Sequence, residues 1–224
     1  MKTIGWVAVA AAAVGFAQSA QAAPCVSAAV GTYTASGFSC SVGGVTFSNI
    51  SINTLGIPAS DLGNLTPVMF ANGATQELGL QLNFAAVANS TTPTTDLDLT
   101  FTVAGNSGNQ ISDAFMSLTG TDSAGASSTL GETLSNGVSL QLMSPGSTSA
   151  SFSPVASLLA IKDQLNSANG GLAETSNLID AFSVSGGVPV SATPIPGTLP
   201  LFASGLVGFW GWTRRRKSTA KPAA

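Results

Sequence analysis

The chain has 224 residues, a formal net charge of −3 and no histidine, and only 8% of its residues are charged. Six of the seven Lys and Arg residues lie at the two ends, so residues 23–213 carry ten carboxylates against one lysine, a net charge of −9. Such an acidic body excludes nucleic-acid binding, which requires a basic surface, and the lack of histidine excludes Ser-His-Asp and Cys-His catalysis and imidazole metal sites.

The first 22 residues are typical of a secretory signal peptide. Lys2 precedes an apolar stretch over 4–16, and small residues follow over 18–22. Ala20 and Ala22 fit the A-x-A pattern, which predicts cleavage after Ala22. The remaining chain is therefore expected to be exported.

Two cysteines, Cys25 and Cys40, both follow the predicted cleavage point. An even number of cysteines in an exported chain predicts one disulfide, which would close a loop of about 16 residues and stabilise the fold by roughly 3 kcal/mol. A redox or metal pair is the alternative, but the spacing fits neither and there is no histidine to act as a co-ligand. We expect a structural disulfide and no metal or other cofactor.

The body is rich in Gly, Ser, Thr, Asn and Val, a composition that favours strands over helices. Residues 96–103 alternate between polar and apolar side chains, and residues 78–84 alternate in the same way. Both patterns predict half-buried strands, separated by a polar connection over 88–95 in which Pro93 prevents continued pairing. The two strands are expected to form a hairpin or to be neighbours in a sheet.

Upstream, a Gly-Gly pair at 43–44 predicts a hairpin turn between strands over 38–42 and 45–52. The apolar residues of the second strand fall on odd positions before Ser48 and on even positions after Asn49. A bulge near these two residues would place all of them on one face. Three further short strands are predicted over 114–118, 138–143 and 149–152.

The segment 154–182 has two interpretations. Ser153-Pro154 and the apolar spacing that follows are compatible with a helix. The alternative, which we favour, is a hairpin of strands over 158–165 and 172–184, because Asn169-Gly170 between them is a strong hairpin-turn signal.

Short strands separated by turns about every 8–12 residues predict an all-β fold, an antiparallel β-sandwich over 23–184. A signal helix over 1–22 would precede it. The sandwich would be followed by a linker rich in Gly, Pro, Ser and Thr over 185–197, a single transmembrane helix over 198–213 and a basic cytoplasmic tail over 214–224.

The C-terminal segment has three parts in a fixed order. A Pro-rich motif, Pro194-Ile195-Pro196-Gly197, is followed by an apolar run from Leu199 to Trp212. With its flanks this run is about 17 residues or ~26 Å as a helix, at the short end of spanning a membrane. Four cations, Arg214, Arg215, Arg216 and Lys217, then form a membrane stop that would keep the C-terminus in the cytoplasm.

This order of motif, apolar helix and arginine cluster resembles the PEP-CTERM sorting signal of Gram-negative bacteria. The usual motif of that family is Pro-Glu-Pro, and Ile195 replaces the glutamate in this chain. The resemblance implies recognition and processing by exosortase, a membrane peptidase-transpeptidase. The protein would be exported through the inner membrane, anchored there transiently, and then placed at the cell surface or outside the cell.

A second resemblance lies near the predicted disulfide. Tyr33, Gly37-Phe-Ser-Cys40 and Gly43-Gly-Val-Thr-Phe-Ser-Asn49 look like the N-terminal block of many PEP-CTERM proteins. This block implies membership of the family and no particular activity. The family resemblance implies association with exopolysaccharide, biofilm or flocculation.

Few residues remain as candidates for chemistry. Lys162, next to Asp163, is expected to form an ion pair on a solvent-exposed face. Asp96 and Asp98 lie two apart on one predicted strand, so their side chains would share its polar face about 6–7 Å apart. Such a pair could bind Ca²⁺ or flank a glycosidic bond, but the interpretation we favour is that the two carboxylates keep an outer sheet face soluble and discourage edge pairing.

We therefore expect a non-enzymatic exported surface or extracellular-matrix protein. Its expected partners are an exosortase-type processing enzyme and an exopolysaccharide, with no nucleic acid. A carbohydrate- or Ca²⁺-binding β-sandwich module is the alternative. A third hypothesis is a hydrolase that uses a carboxylate pair. The lack of aromatic residues near Asp96 and Asp98, which could stack on a sugar, counts against it.

Overall fold

The computed structural model of the chain describes residues 22–185. This part of the chain contains thirteen β-strands, one α-helix of four residues, α1 (Val30–Tyr33), and a short 3-10 helix (Ala59–Asp61). The strands form two sheets, and each strand pair is antiparallel except that of the first and third strands. The predicted antiparallel β-sandwich is confirmed.

The two sheets are called sheet A and sheet B, and strands are numbered along the chain. Sheet A has seven strands, in the spatial order β1 (Ala23–Pro24), β3 (Ser39–Val42), β4 (Val45–Leu55), β7 (Thr94–Gly105), β12 (Ser157–Ser167), β9 (Ser127–Leu134) and β10 (Ser139–Leu142). Sheet B has six, in the order β11 (Gly146–Val155), β8 (Gln110–Asp122), β13 (Ala173–Ser185), β6 (Thr75–Ala88), β5 (Leu62–Asn72) and β2 (Ala28–Ala29).

The main hydrophobic core lies between the sheets, because most strands turn one apolar face inward. Three phenylalanines meet there, Phe47 and Phe101 from sheet A and Phe182 from sheet B, with ring centroids 5.8 to 6.3 Å apart. Tilted and edge-to-face contacts of this kind are favourable between aromatic rings. The predicted phases of two strands are confirmed. Their buried residues are Leu78, Leu80, Leu82 and Phe84 in β6, and Leu97, Leu99, Phe101 and Val103 in β7.

The predicted hairpin around the Gly-Gly pair is confirmed as β3 and β4, which pair up to Val42 and Val45 on either side of the turn. Gly43 has a φ of +53°, a left-handed conformation that glycine adopts without strain. The predicted bulge is also confirmed, since the pairing of β4 with β7 shifts register between Ser48 and Ser51. Asn49 has a φ of 54°, which lets the apolar positions on both sides of the bulge face the core.

The prediction that strands 78–84 and 96–103 are a hairpin or sheet neighbours is wrong. β6 belongs to sheet B and β7 to sheet A, and each pairs with other strands. Between them the Asn89 side chain accepts hydrogen bonds from the backbone N–H groups of Thr91 and Thr92, at 2.8 and 3.0 Å. The polar connection thus carries the chain across the sandwich from one sheet to the other.

The segment 154–182 contains no helix, so the strand interpretation is confirmed, with β12 and β13 close to the expected ranges. The turn lies at Asn169-Gly170, with φ of 40° and 86°. The two strands do not pair, however, because β12 is in sheet A and β13 in sheet B. The predicted hairpin is therefore a crossing between sheets, in which both strands face each other through the core.

The predicted disulfide between Cys25 and Cys40 is confirmed, with the two Cα atoms 4.8 Å apart. The segment that it closes includes β2 at an edge of sheet B and ends in β3 of sheet A. Within this segment, the hydroxyl of the buried Tyr33 donates a hydrogen bond of 2.7 Å to the carbonyl of Val26. The disulfide therefore holds together a segment that joins both sheets at one side of the sandwich.

Candidate functional site

Several predicted sites fall outside the described residues. They are the signal peptide, the sorting motif at Pro194, Ile195, Pro196 and Gly197, the helix over 198–213, and the membrane stop at Arg214, Arg215, Arg216 and Lys217. Among residues 22–185, none of the helices has the length and apolarity that crossing a bilayer requires. What the structure does describe is an acidic cluster on the outer face of sheet A and a charged cluster inside the core.

Asp96 and Asp98 lie on the outer face of sheet A, as their alternation in β7 predicts, with Asp98 exposed and Asp96 half-buried. The pairing of β12 with β7 places Asp163 directly opposite Asp98. Oxygen atoms of the three carboxylates all lie within 4.8 Å of one another. We call these three residues the acidic trio. Asp163 is not among the residues that the sequence predicts for this site, because its expected partner is the adjacent Lys162.

The acidic trio concentrates negative charge. Burial raises the pKa of Asp96, and the charges of Asp163 and Asp98 raise it further. The Oδ1 atom of Asp96 is buried without a hydrogen-bond partner in the described part of the chain. Carboxylate oxygens are the ligands that Ca²⁺ prefers, so a bound cation would relieve the repulsion within the trio.

A shallow groove of about 520 Å³ runs along the outer face of sheet A beside the trio. Gly131 lies opposite Asp163 on one side and opposite Gln141 on the other, and its missing side chain leaves the space between them open. Thr133 and Ile161 also line the groove. Hydroxyl, amide and carboxylate groups next to an aliphatic side chain are groups that can contact a hydroxyl-rich polymer.

The prediction that Lys162 forms a solvent-facing ion pair with Asp163 is wrong. Lys162 is fully buried between the sheets, whereas Asp163 points to the outer face. The Lys162 ammonium lies 3.2 Å from a carboxylate oxygen of Glu132 in β9 and 3.2 Å from one of Asp180 in β13. Both carboxyl groups are buried as well. We call Lys162, Glu132 and Asp180 the buried triad.

Lys162 belongs to β12, a strand in which several polar side chains face the core and several apolar side chains face outward. The even positions of β12 from Lys162 onward are polar and face the core, while its exposed positions include Leu159, Ile161 and Leu165, which are 40%, 46% and 40% exposed. The strand faces this way because its polar positions find buried partners. They are Lys162 with Glu132 and Asp180, Gln164 with Asn166, and Asn166 with Thr175 and the carbonyl of Ala86.

Burial raises the pKa of Asp180 well above its usual range. The nearby Glu132 carboxylate raises that pKa further, and the Lys162 charge acts against both effects but does not outweigh them. These effects favour the protonated, neutral form of the Asp180 carboxyl group over its carboxylate.

A second pair of buried carboxyl groups lies in sheet B. Burial raises the pKa of both Glu77 and Asp113, and the charge of Asp113 raises that of Glu77 further. Hydrogen bonds from Thr75 to Glu77, at 3.0 Å, and from Ser151 to Asp113, at 2.8 Å, partly offset this. The sequence does not predict Glu77 and Asp113 as a pair of interacting carboxyl groups, because neither has an acidic neighbour along the chain.

No known family model and no curated protein matches this sequence. Among solved structures, the chain is similar to that of TmCBM61 in complex with β-1,4-galactotriose, with 10% sequence identity and a TM-score of 0.29. The match covers 62% of this chain and 87% of that chain. A likeness of this degree carries no argument about ligand or function.

Proposed function

We propose that the chain is a non-enzymatic exported protein of the cell surface or extracellular matrix, sorted by its C-terminal signal and associated with exopolysaccharide. The observation that carries the exported location is the Cys25–Cys40 disulfide, because such bonds form and persist in oxidising compartments outside the cytoplasm. The sorting step and the association with exopolysaccharide rest on the resemblance to the PEP-CTERM family. The signal-like first 22 residues and the C-terminal motif, apolar run and basic block support the same route.

The sorting part is tested by the intact mass of the protein recovered from the surface of its native host. We expect the recovered chain to begin at Ala23 and to end near Pro194–Gly197, with or without an added group. The double variant Pro194→Ala/Pro196→Ala should accumulate in the membrane fraction with a mass that runs through Ala224, because the motif read by the processing enzyme is lost.

The matched control is Pro189→Ala, the same substitution five residues before the motif. It should be processed like the unaltered protein. A mass through Ala224 for the unaltered protein itself would mean that the tail is a permanent anchor, and the matrix proposal would lose its basis. Normal processing of the double variant would show that the two prolines are not what the enzyme recognises.

A second candidate function is binding of Ca²⁺, or of a carbohydrate with Ca²⁺, at the acidic trio. The observation that favours it is the third carboxylate, Asp163, which the fold brings to Asp96 and Asp98. Three carboxylates and water would supply oxygen ligands of the kind that Ca²⁺ takes. The groove beside the trio would then be the place for a sugar chain.

Calcium should stabilise the folded protein if the trio binds it. At a Ca²⁺ concentration ten times the dissociation constant, the free energy of unfolding should rise by about 1.4 kcal/mol. Thermal unfolding with Ca²⁺ and with EDTA measures this effect. The shift should vanish in Asp96→Asn/Asp98→Asn and persist in Asp61→Asn/Glu174→Gln, which removes two exposed carboxylates elsewhere. An equal shift in both double variants would assign the effect to general screening of negative charge.

A further inference from the structure

The buried triad places an amine next to a carboxylic acid in the interior of the protein. The Nζ atom of Lys162 lies 3.2 Å from Oδ2 of Asp180, and hence close to the carboxyl carbon to which that oxygen is bonded. Lys162 comes from sheet A and Asp180 from sheet B, so the contact crosses the core. Both side chains are fully buried.

The triad is poorly built as a purely ionic cluster. A buried ion pair is favourable only when its geometry is good and further hydrogen bonds satisfy the remaining polar atoms. Here neither 3.2 Å contact is aligned as a hydrogen bond. Lys162 Nζ, both oxygens of Glu132 and both oxygens of Asp180 have no hydrogen-bond partner within residues 22–185. If the three side chains are charged, only their short separations stabilise them, in a protein interior where a charge is costly to bury.

The surroundings exclude water and restrict movement. Lys162 lies opposite the buried Leu99, and Asp180 lies opposite Leu80 and Met116 in its two neighbouring strands. β12 and β13 each have a paired strand on both sides, so the backbone on both sides of the contact is fixed by hydrogen bonds. Reacting groups held at contact distance in this way gain a large effective concentration over the same groups in solution.

We propose that Lys162 and Asp180 condense to form an intramolecular isopeptide bond across the core, with Glu132 transferring the protons. Glu132 suits this role because its carboxylate lies 3.2 Å from the Lys162 nitrogen and its strand pairs with β12 at that residue. The bond would tie together one interior strand of each sheet, β12 and β13.

The reaction balances without any further reagent. The Glu132 carboxylate takes a proton from the Lys162 ammonium, and the neutral amine attacks the Asp180 carboxyl carbon. Glu132 then gives its proton to the departing hydroxyl group and takes the second proton from the nitrogen. The C–N bond forms, one C–O bond breaks, and one water molecule leaves. Burial raises the pKa of Asp180 and so favours its protonated form. That form suits the attack, because a carboxylate anion would repel the amine's electron pair.

The sequence makes the bond unusually simple to detect. Lys162 is the only lysine or arginine between Lys2 and Arg214. Trypsin therefore has one cleavage point in the whole body, after Lys162, and it does not cleave after a lysine whose side chain is an amide. The disulfide lies entirely on the N-terminal side of this point, so it cannot hold the two fragments together.

The experiment uses the full chain, which is reduced, alkylated, unfolded in denaturant and then digested with trypsin. The cross-linked chain should remain a single product that ends at Arg214, with a mass lower by one water molecule than its sequence predicts. Digestion with a second protease that cuts after aromatic residues, followed by tandem mass spectrometry, should find a peptide pair joined at Lys162 and Asp180.

Three variants that should lose the bond and one control variant make the result specific. Lys162→Arg preserves the cleavage point but cannot form the bond, so it should yield two fragments. Asp180→Ala and Glu132→Gln should also be cut in two, whereas Glu174→Ala, which removes an exposed carboxylate from the same strand as Asp180, should remain one product. Digestion of unfolded chains makes the cleavage point accessible in every variant. The result for Glu132→Gln counts only if its far-UV circular dichroism matches that of the natural protein, because the bond can form only in the folded chain. Two fragments of unaltered mass from the natural chain would overturn the proposal, and so would a cross-link that survives in Asp180→Ala.

Discussion

Lys162→Met is expected to lower the free energy of unfolding by about 3–5 kcal/mol, because it leaves two buried carboxyl groups without their cation. Glu132 and Asp180 are both buried beside Lys162, so water cannot replace the lost charge. Methionine occupies much of the space of the lysine stem, and the loss therefore does not come mainly from a cavity. Urea unfolding of the purified protein, followed by far-UV circular dichroism, measures the change.

The free energy of unfolding of Lys162→Met should also depend on pH, through the protonation of Asp180. A carboxyl group whose pKa is higher in the folded state binds its proton more tightly there, so its contribution is present at low pH and is lost as pH rises through the folded pKa. Burial and Glu132 already raise the pKa of Asp180, and removing Lys162 takes away the only opposing charge in the triad. The variant should therefore be more stable at about pH 5 than at about pH 8.

A triple variant distinguishes a triad that is only ionic from one that forms the isopeptide bond. Lys162→Met/Glu132→Leu/Asp180→Leu removes every charge of the triad, and apolar replacement of a buried ionic cluster is often neutral or stabilising. If the triad is ionic only, the triple variant should regain at least the stability of the natural protein. If the isopeptide bond forms, the natural protein should stay the more stable of the two. A cost below about 1 kcal/mol for Lys162→Met would contradict the buried position of the triad.

Replacing the disulfide in Cys25→Ser/Cys40→Ser is expected to lower the free energy of unfolding by about 3 kcal/mol. The bond closes a short segment that includes β2 at an edge of sheet B and ends in β3 of sheet A, and the free segment has more conformations in the unfolded chain. The Cys25 N–H also donates a hydrogen bond of 2.9 Å to the Ser41 carbonyl, and we expect this contact to weaken when the bond is absent.

Thermal unfolding with and without a reducing agent measures the disulfide effect and includes its own control. The reductant should lower the unfolding temperature of the natural protein to that of the double serine variant, and should leave the variant unchanged. An equal shift in both proteins would show that the reductant acts elsewhere. A protein that loses this much stability in a reducing cytoplasm is suited to the exported location that we propose.

Local sequence was sufficient to place most strands and their inward faces. The alternation of apolar and polar residues in β6 and β7 predicts which of them are buried, because neighbouring side chains of a strand point to opposite faces. The Gly-Gly turn at 43–44 and the bulge at Ser48-Asn49 follow from backbone conformations that few residue types adopt. The disulfide follows from two cysteines and the expected compartment.

Strand pairing was settled by contacts between distant parts of the chain. Asn169-Gly170 and the connection after β6 both reverse the chain, but a reversal leads equally to a hairpin or to a crossing between sheets. Which one forms depends on the faces that the sandwich buries. Asp163 joins Asp98 only through the register of β12 with β7, over a separation that no local pattern describes.

Lys162 shows most clearly the difference between what local sequence predicts and what tertiary contacts decide. Next to Asp163 and followed by polar residues, it has the local character of a surface lysine. It lies in the core because Glu132 and Asp180, from strands far apart in the sequence, bring two carboxyl groups to it there. A charge can be buried only where its partners are buried too, and tertiary packing alone provides those partners.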